Sequence, residues 1–335
     1  MILAGDVGGT KTRLALYSPD ATPRTPLREH RALSRDYASL TAIALEFLGA
    51  DRGRVTSAAF GIAGPVVRNR SETTNLPWTL DGDEIGQKLG GVQVRLLNDL
   101  EATGWGLACL EANELRVIQQ GRPAPGNRAL IAAGTGLGEA LLVWDGVSHV
   151  PIASEGGHVD FAARDTFEDE LNLWLRNEYR HVSYERILSG RGLVDLYRFL
   201  TVTGRGSEPS DMQQRFASGA DPAAVISSAA LDGSSERARI ALDHWVRAYG
   251  AEAGNLALKA LAVNGVFVGG GIAPQVASFI CSEEFTEAFR SKGRLTPVLQ
   301  DIPVHLVLDD RAALWGAAAF AMSHAGRGIA PSSTT

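Results

Sequence analysis

The sequence has few of the residues that hold small secreted or metal-dependent proteins together. Its 335 residues include two cysteines, Cys109 and Cys281, and no C-x-x-C spacing. This composition argues against a disulfide framework or a structural zinc site, and it predicts a cytoplasmic protein. No block of lysines and arginines stands out and the formal net charge is −6, so we expect no nucleic-acid surface.

Long hydrophobic runs are also missing. The uncharged segment 264–282 contains four glycines and a proline, which argues against a membrane span, so we expect no membrane association. Asp6 interrupts the apolar start of the chain, so we expect no signal peptide. The length predicts about two domains, and a charged fraction of 21% is ordinary for a globular enzyme.

Three common ligand motifs are absent. A Walker A loop needs a glycine immediately before its lysine, but Thr10 precedes Lys11. A Rossmann fingerprint starting at Gly134 needs a glycine where Glu139 stands, and a helix where the strand-like run 140–144 follows. No H-E-x-x-H pair occurs, and His158 with Asp160 alone supplies too few ligands for a metal.

Two glycine-rich turns of similar design are the main feature that the sequence does contain. The segments 2–16 and 130–143 each consist of an apolar run, a Gly/Thr cluster and a second apolar run, which predicts strand, tight turn and strand. Glycine lets backbone N–H groups approach a ligand, and N–H groups with Thr hydroxyls suit phosphate oxygens. Two such hairpins predict a nucleotide in a cleft between two similar domains.

Two acidic clusters add chemistry to the glycine turns. Asn98 and Asp99 follow an apolar strand, and ligands of α/β sheets gather at such strand ends. Asp99 could accept a proton from a substrate hydroxyl, or it could cap the helix that follows. Glu155 and His158 flank two glycines and could converge on a small polar ligand, or they could form a surface turn.

Further polar residues are more ambiguous. Glu185 lies before an apolar stretch and a glycine turn at 189–192, and a solvated helix position is an alternative to a site. Asn75 and Trp78 could belong to a loop and to the core.

The order of predicted elements indicates a duplicated βββαβα unit. We expect an α/β protein with a small N-terminal domain at 1–108 plus 310–325, a large domain at 109–309 and a flexible tail at 326–335. The last helix would return to the first domain.

Taken in order, these motifs resemble the bacterial glucokinase family of the actin/hexokinase/Hsp70-like ATPase superfamily. The matching segments are distributed over nearly the whole chain and comprise 5–10 (GDVGGT), 97–99 (LND), 133–138 (AGTGLG), 155–161 (EGGHVDF), 185–190 (ERILSG) and 267–272 (FVGGGI). The resemblance implies two RNase H-like domains with mixed sheets flanked by helices and an active-site cleft between them. It also implies ATP-dependent phosphorylation of D-glucose to glucose 6-phosphate, the first step of glycolysis, and suggests a homodimer.

The resemblance also implies a role for each motif residue. Asp99 would be the general base. The groups that ring the glucose hydroxyls would be Asn98, Asp99, Glu155, His158 and Glu185. The groups that face ATP and Mg²⁺ would be Asp6, Gly8, Gly9, Thr10, Gly134, Thr135, Gly136, Gly270 and Gly271, with Asp6 nearest the metal ion. Under these roles, Gly136→Val would weaken ATP binding and largely spare glucose binding.

One departure from the family concerns Lys11-Thr12, where close relatives often have Asn-Ala. The lysine at this position is a point of resemblance to the ROK sugar kinases. Those enzymes usually carry a cysteine-rich zinc motif after the substrate histidine. No such cluster follows His158, which favours the non-zinc glucokinase branch. The alternatives are a kinase for another hexose or an N-acetylhexosamine, and a sugar-sensing regulator, for whose DNA-binding module the strand starting at Ile2 leaves no room.

Overall fold

The computed structural model describes residues 1–73 and 76–324, and these residues form two compact units. The first unit comprises Met1–Glu111, Val150–Ala153 and the described residues from Asp309 onwards. The second comprises Ala112–His149 and Ser154–Leu308. The domain bounds predicted from the sequence stay a prediction, and the predicted tail at 326–335 lies outside the described residues, as does Asn75.

The described residues contain thirteen strands and twelve α helices. The strands are β1 (Ile2–Val7), β2 (Lys11–Tyr17), β3 (Arg28–Leu33), β4 (Ser57–Ile62), β5 (Arg70–Glu72), β6 (Thr79–Asp81), β7 (Gln93–Asn98), β8 (Leu115–Gln119), β9 (Arg128–Ala133), β10 (Leu137–Trp144), β11 (His149–Ser154), β12 (Gly265–Gly269) and β13 (Val304–Val307). The helices are α1 (Leu40–Leu48), α2 (Gly82–Lys88), α3 (Asp99–Gly106), α4 (Thr166–Glu178), α5 (Gly190–Val202), α6 (Met212–Ala217), α7 (Pro222–Leu231), α8 (Glu236–Ala260), α9 (Ala277–Ile280), α10 (Glu283–Arg290), α11 (Thr296–Asp301) and α12 (Ala312–His324). No helix among the described residues is both long and apolar enough to cross a membrane.

The sheet of the first unit has the strand order β3-β2-β1-β4-β7. Strands β1, β4 and β7 are mutually parallel, whereas β1 with β2 and β2 with β3 are antiparallel. Val7 is level with Ile62, and Ile62 is level with Asn98. The carboxyl ends of β1 and β7 therefore lie at the same edge of the sheet, about 10 Å apart because two strand spacings separate them.

Helices α3 and α12 pack closely on each other beside this sheet. A Cβ atom at Gly106 would overlap the backbone oxygen of Ala312, and a Cβ atom at Gly316 would overlap that of Ala102. Glycine at both positions therefore permits a short distance between the helix backbones. Leu314 and Ala317 of α12 belong to one buried cluster with side chains of β1 and β4.

The sheet of the second unit repeats the central pattern, with β10, β9, β12, β13 and β8 side by side in that order. Strands β9 and β10 form an antiparallel hairpin, and β9, β12 and β13 are mutually parallel. The helices on this sheet bury a large apolar cluster that includes Trp245 and Tyr249 of α8. The predicted α/β class, with mixed sheets flanked by helices, is confirmed.

Some predicted elements differ in detail. The segment 189–192 is not a glycine turn but the start of α5, because Ser189 Oγ accepts a hydrogen bond from Gly192 N at 3.1 Å and caps the helix. Gly192 is needed there, since a Cβ atom would overlap the backbone oxygen of Ile187. Strand β13 begins only at Val304, because residues 296–301 form α11. Trp78 is buried in the core of the first unit.

Candidate active-site residues in the two units

Asp6 is the next-to-last residue of β1, at the carboxyl edge of the first sheet. It is half-buried and directly opposite Arg13 of β2. Burial raises the pKa of Asp6 to about 6, against the attraction of the Arg13 guanidinium and with a further increase from the charge of Asp310. Arg13 itself forms an ion pair with Asp310, with Nη1 and Oδ1 separated by 2.9 Å. Asp6 is therefore expected to gain or lose its proton at a pH of about 6.

The turn after β1 is held in one conformation by hydrogen bonds. Gly8 N donates to Lys11 O at 2.9 Å, which closes the turn. Ser34, just after β3, donates from Oγ to Gly8 O at 2.9 Å and from its backbone N to Thr10 O at 3.0 Å. Gly8 and Gly9 are half-buried and Thr10 is exposed. Sequence reasoning missed Ser34, because its role depends on the β2–β3 pairing.

Asn98 ends β7 and caps α3. Its Oδ1 accepts from Leu100 N at 3.0 Å and from Glu101 N at 3.3 Å, while Glu101 Oε2 accepts from Asn98 N at 3.3 Å. This reciprocal arrangement is a capping box. Asn98 Nδ2 also donates to Gly64 O at 3.1 Å. The side chain is thus committed to fixing the start of α3, and its predicted contact with a substrate hydroxyl stays a prediction.

Asp99 is the first residue of α3, one position after the cap. The alternative that Asp99 caps the helix is wrong, because the adjacent Asn98 performs that role. Asp99 is half-buried, and its Oδ1 accepts from Leu100 N at 2.9 Å. Gly61 at the end of β4 has no Cβ atom to collide with Ala102, so α3 can approach the sheet edge. Asp99 is therefore a carboxylate in a fixed place at the same edge as Asp6.

In the second unit, the two predicted glycine clusters lie side by side. Gly134 N donates to Gly136 O at 2.8 Å in the β9–β10 turn, and Thr135 is exposed at its tip. Gly270 has φ of +85°, and a Cβ atom there would overlap the backbone of Ala133. A Cβ atom at Gly134 would lie 3.8 Å from Gly271 N. Two backbone segments thus come close together without intervening side chains, as a phosphate site requires.

Glu185 lies against this turn. It belongs to the 3₁₀ turn Tyr184–Arg186, and its Oε2 accepts from Leu137 N at 3.0 Å. A Cβ atom at Gly136 would lie only 2.5 Å from the same Oε2 atom. The solvated-helix alternative for Glu185 is therefore wrong. The missing side chain of Gly136 makes room for the carboxylate of Glu185.

Glu155 and His158 join Glu185 in one polar cluster. His158 Nε2 lies 3.6 Å from Glu185 Oε1, and His158 Nδ1 lies 4.0 Å from Glu155 Oε2. The side chains of Glu155 and His158 are 60% exposed, whereas that of Glu185 is 26% exposed. The predicted convergence of these three residues is thus observed within the second unit. Carboxylates and an imidazole at this spacing can bind several hydroxyl groups of a small polar ligand.

A cavity of about 340 Å³ opens beside this cluster. Its lining includes His158 and Glu185 together with Tyr179, His181 and Arg186. Within 1–73 and 76–324, no group of three or more His, Cys, Asp or Glu side chains is arranged to hold a metal ion.

A family model, a curated relative and a solved structure that match this chain are all described as glucokinases. A family model described as glucokinase matches residues 3–324. A glucokinase from Nostoc punctiforme is 38% identical over 333 residues, which cover 95% of this chain and 98% of the relative. The crystal structure of a glucokinase from an Antarctic psychrotroph is 32% identical with a TM-score of 0.81, and the match covers 96% of this chain and 98% of that chain.

A more distant match shares the fold. The crystal structure of a ROK family glucokinase from Streptomyces griseus in complex with glucose and AMPPNP has a TM-score of 0.65 and 22% identity. That match covers 96% of this chain and 99% of the other.

Proposed function

The chain belongs to the glucokinase family, and from this premise we propose which of its residues bind the substrates and transfer the phosphoryl group. The activity is that of the family: the chain is a glucokinase, which phosphorylates D-glucose to glucose 6-phosphate with ATP. The Streptomyces griseus enzyme, which shares the fold, was crystallised with glucose and the ATP analogue AMPPNP. This supports ATP as the phosphoryl donor here.

Asp99 is the general base in this proposal. The capping box of Asn98 fixes the start of α3, so the adjacent Asp99 carboxylate is held at the carboxyl edge of the first sheet. There it would orient the 6-hydroxyl of glucose and accept its proton as the oxygen attacks the γ-phosphorus atom. A well-placed general base contributes about 10²–10⁴-fold to the rate.

The glycine turns bind the ATP phosphates in this proposal. Gly8, Gly9 and Thr10 would contact them in the first unit, and the segment 134–136 in the second, with the segment 270–271 beside the adenosine. Backbone N–H groups at both turns would stabilise the charge of the transferring phosphoryl group.

Mg²⁺ enters as part of the ATP substrate, and Asp6 is the residue proposed to face it. Magnesium is commonly bound by one or two carboxylates together with substrate phosphates. The fit is electrostatic: burial raises the pKa of Asp6, and a divalent cation nearby would stabilise its ionised form.

The convergence of Glu155, His158 and Glu185 is the observation that carries the glucose assignment. The three side chains come from two separate segments of the chain. The His158 ring lies within 4.0 Å of the carboxylates of both Glu155 and Glu185. Together with Asn98 and Asp99 they would pair with the glucose hydroxyls. We assign the chain to the non-zinc branch, because Cys281 is the one cysteine after His158. From the family resemblance we extend the proposal to a cytoplasmic homodimer that uses neither nucleic acid nor membrane as a partner.

Glucose is expected to be the preferred sugar. The site is proposed to pair each glucose hydroxyl with a polar side chain. When a sugar with a missing or displaced hydroxyl binds, one buried polar group loses its partner, which costs about 1–3 kcal/mol of binding free energy. We therefore expect kcat/KM for glucose to exceed that for mannose, fructose and N-acetylglucosamine by about tenfold or more. A coupled ADP-release assay over this panel measures the ratios. A higher value for another sugar would assign the chain to a different hexose or N-acetylhexosamine kinase.

Gly136→Val is expected to weaken glucose binding as well as ATP binding. The sequence alone predicted that glucose binding would be spared, but the new side chain would displace the Glu185 carboxylate, whose Oε2 atom lies 2.5 Å from the position that a Cβ atom of residue 136 would occupy. Loss of that contact predicts an increase in the glucose Kd of about tenfold. Isothermal titration with glucose in the absence of ATP measures it.

Gly134→Ala is the matched control for this substitution. Its Cβ atom would make an ordinary contact of 3.8 Å with Gly271 N and would leave Glu185 in place. We expect an altered KM for ATP with a glucose Kd close to that of the wild type. Equal glucose affinities of Gly136→Val and wild type would contradict the role of Gly136 in seating Glu185.

A further inference from the structure

Two carboxylates are buried together beneath the glycine loop that carries Glu155 and His158. Glu139 of β10 is 1% exposed and Glu252 in the middle of α8 is 0% exposed. A Cβ atom at Gly156 would overlap Glu139 Oε2, so the carboxyl group of Glu139 occupies the space directly under this loop. Glu139 Oε1 is buried without a hydrogen-bond partner among the described residues. None of the roles assigned above uses this pair.

Glu252 is the better-stabilised carboxylate of the two. Its Oε2 accepts from Asn255 Nδ2 at 2.7 Å, and its Oε1 accepts from Lys259 Nζ at 3.1 Å. Asn255 Oδ1 accepts from Lys292 Nζ at 2.6 Å. Glu252 thus accepts hydrogen bonds from an amide and an ammonium group, whereas Glu139 Oε1 has no such partner among the described residues.

The pair is connected to both sugar-binding segments of the second unit. The carboxyl group of Glu139 lies against Gly156, which is between Glu155 and His158 in the loop. Asn255 Nδ2 also donates to the hydroxyl of Tyr184 at 3.1 Å, and Tyr184 directly precedes Glu185. One buried polar cluster thus underlies all three side chains proposed to bind glucose.

We propose that Glu139 is a positioning residue: in its protonated form it donates a hydrogen bond to Glu252 and thereby holds the loop 155–158 in the geometry that binds the sugar. The assignment rests on the proposed function, because the loop's ligand is taken to be glucose. When the proton leaves to solvent, two carboxylates face each other under Gly156. Their repulsion pushes Glu139 toward the loop and weakens sugar binding.

The charges around Glu139 favour this switch in the mildly alkaline range. Burial and the charge of Glu252 raise the pKa of Glu139 to about 8, and Lys259 opposes that shift. Glu252, Lys259 and Tyr249 of α8 interact electrostatically with Glu139, whereas Tyr184 of the 3₁₀ turn and Lys292 after α10 interact with Glu252. Burial lowers the pKa of Lys292 to about 8, so the loss of its proton in the same range would add to the excess of negative charge.

The test compares Glu139→Gln with Glu139→Ala by isothermal titration with glucose from pH 6.5 to 9.5. Glutamine retains the donor to Glu252 and cannot ionise, so its glucose Kd is expected to stay near the low-pH wild-type value at every pH. The wild-type Kd is expected to rise about tenfold above pH 8, and alanine is expected to bind weakly throughout. Identical pH profiles of wild type and Glu139→Gln would overturn the proposal, as would wild-type affinity of Glu139→Ala.

A second measurement keeps this test separate from the sugar assignment. The native state holds the Glu139 proton more tightly than the unfolded chain does, so this stabilisation is complete below the ordinary pKa of a glutamate and is lost as pH rises to about 8. The melting temperature of Glu139→Gln relative to wild type should therefore increase by about 2–4 °C between pH 6 and 9. This increase is expected even if the wild type binds no glucose, an outcome that would refute the proposed function alone. A constant difference would refute the acid pair.

Glu168→Gln is the matched control for losing a buried carboxylate. Glu168 of α4 is also buried, but its carboxylate pairs with Arg164 rather than with a second carboxylate under the loop 155–158. The substitution should lower stability and leave the pH dependence of glucose affinity unchanged. A pH profile altered in the same way as that of Glu139→Gln would overturn the specific role of Glu139.

Discussion

Asp99→Asn is expected to lower kcat by about 10²-fold or more. The amide retains the shape of the side chain and most of its hydrogen-bonding capacity, but it cannot accept a proton at neutral pH. If Asp99 is the base, the loss appears in kcat, while the glucose Kd changes little because the amide can still contact the 6-hydroxyl. Steady-state kinetics with a saturating concentration of each substrate measure the effect.

The capping box makes this substitution a clean test. Asn98 and Glu101 provide the cap of α3, so Asp99→Asn leaves the cap intact and the free energy of unfolding should stay within about 0.5 kcal/mol of wild type. Glu101→Gln is the matched control, because it replaces a carboxylate by an amide two residues further along and glutamine also serves in a capping box. Its kcat should stay near wild type. Normal kcat and normal melting of Asp99→Asn would remove Asp99 as base and make Glu155 the next candidate.

Asp6→Asn is expected to reduce kcat/KM for Mg²⁺·ATP by about 10²-fold and to make the protein more stable at neutral pH. The loss of activity follows from removing the charge proposed to face the metal ion. The gain in stability follows because the native state holds an ionised carboxylate that burial disfavours. For this half-buried group we expect a gain of about 1–2 kcal/mol at pH 7.5.

The raised pKa of Asp6 determines how the stability difference and the wild-type activity should change with pH. Because the pKa of Asp6 is raised to about 6, its protonated form stabilises the native state below the ordinary aspartate range, and that stabilisation is lost as pH rises through 6. The stability advantage of Asp6→Asn should therefore disappear between pH 6 and 4, and wild-type activity should fall over the same interval. Asp36→Asn, at an exposed site in the same unit, serves as control. An active Asp6→Asn variant would contradict the metal-facing role.

The two hairpins could be predicted well from the sequence, because local composition determines them. Apolar runs on both sides of 5–10 and 133–138 leave few alternatives to strand and turn, and the observed hairpins begin and end within two residues of the predicted segments 2–16 and 130–143. The convergence of Glu155, His158 and Glu185 needed the family resemblance, because the two segments are separated in the chain. Alone, the segment with Glu155 and His158 looks like a surface turn, and Glu185 looks like a solvated helix residue.

The remaining features depend on contacts that the order of residues does not reveal. Asn98 rather than Asp99 caps α3, because Gly64 O and two helix N–H groups all lie within reach of the same amide. Gly136 looked like a phosphate contact only, since its closeness to Glu185 depends on how the 3₁₀ turn packs against β10. The sequence did not distinguish Glu139 from any other strand residue, because Glu252, its proposed partner, lies on a helix more than a hundred positions away.

The placement of α12 determines when the first unit can finish folding during synthesis. Strands β1 and β4 leave the ribosome early, yet Leu314 and Ala317, which cover one face of them, are made after the whole second unit. At about 5–20 residues per second, that face waits for about ten seconds or longer, open to chaperones and to non-native contacts. We therefore expect Asp6 and Asp99 to reach their final places only when α12 docks, so a nascent chain that stops short of α12 should not yet hold in position the carboxylate proposed as base.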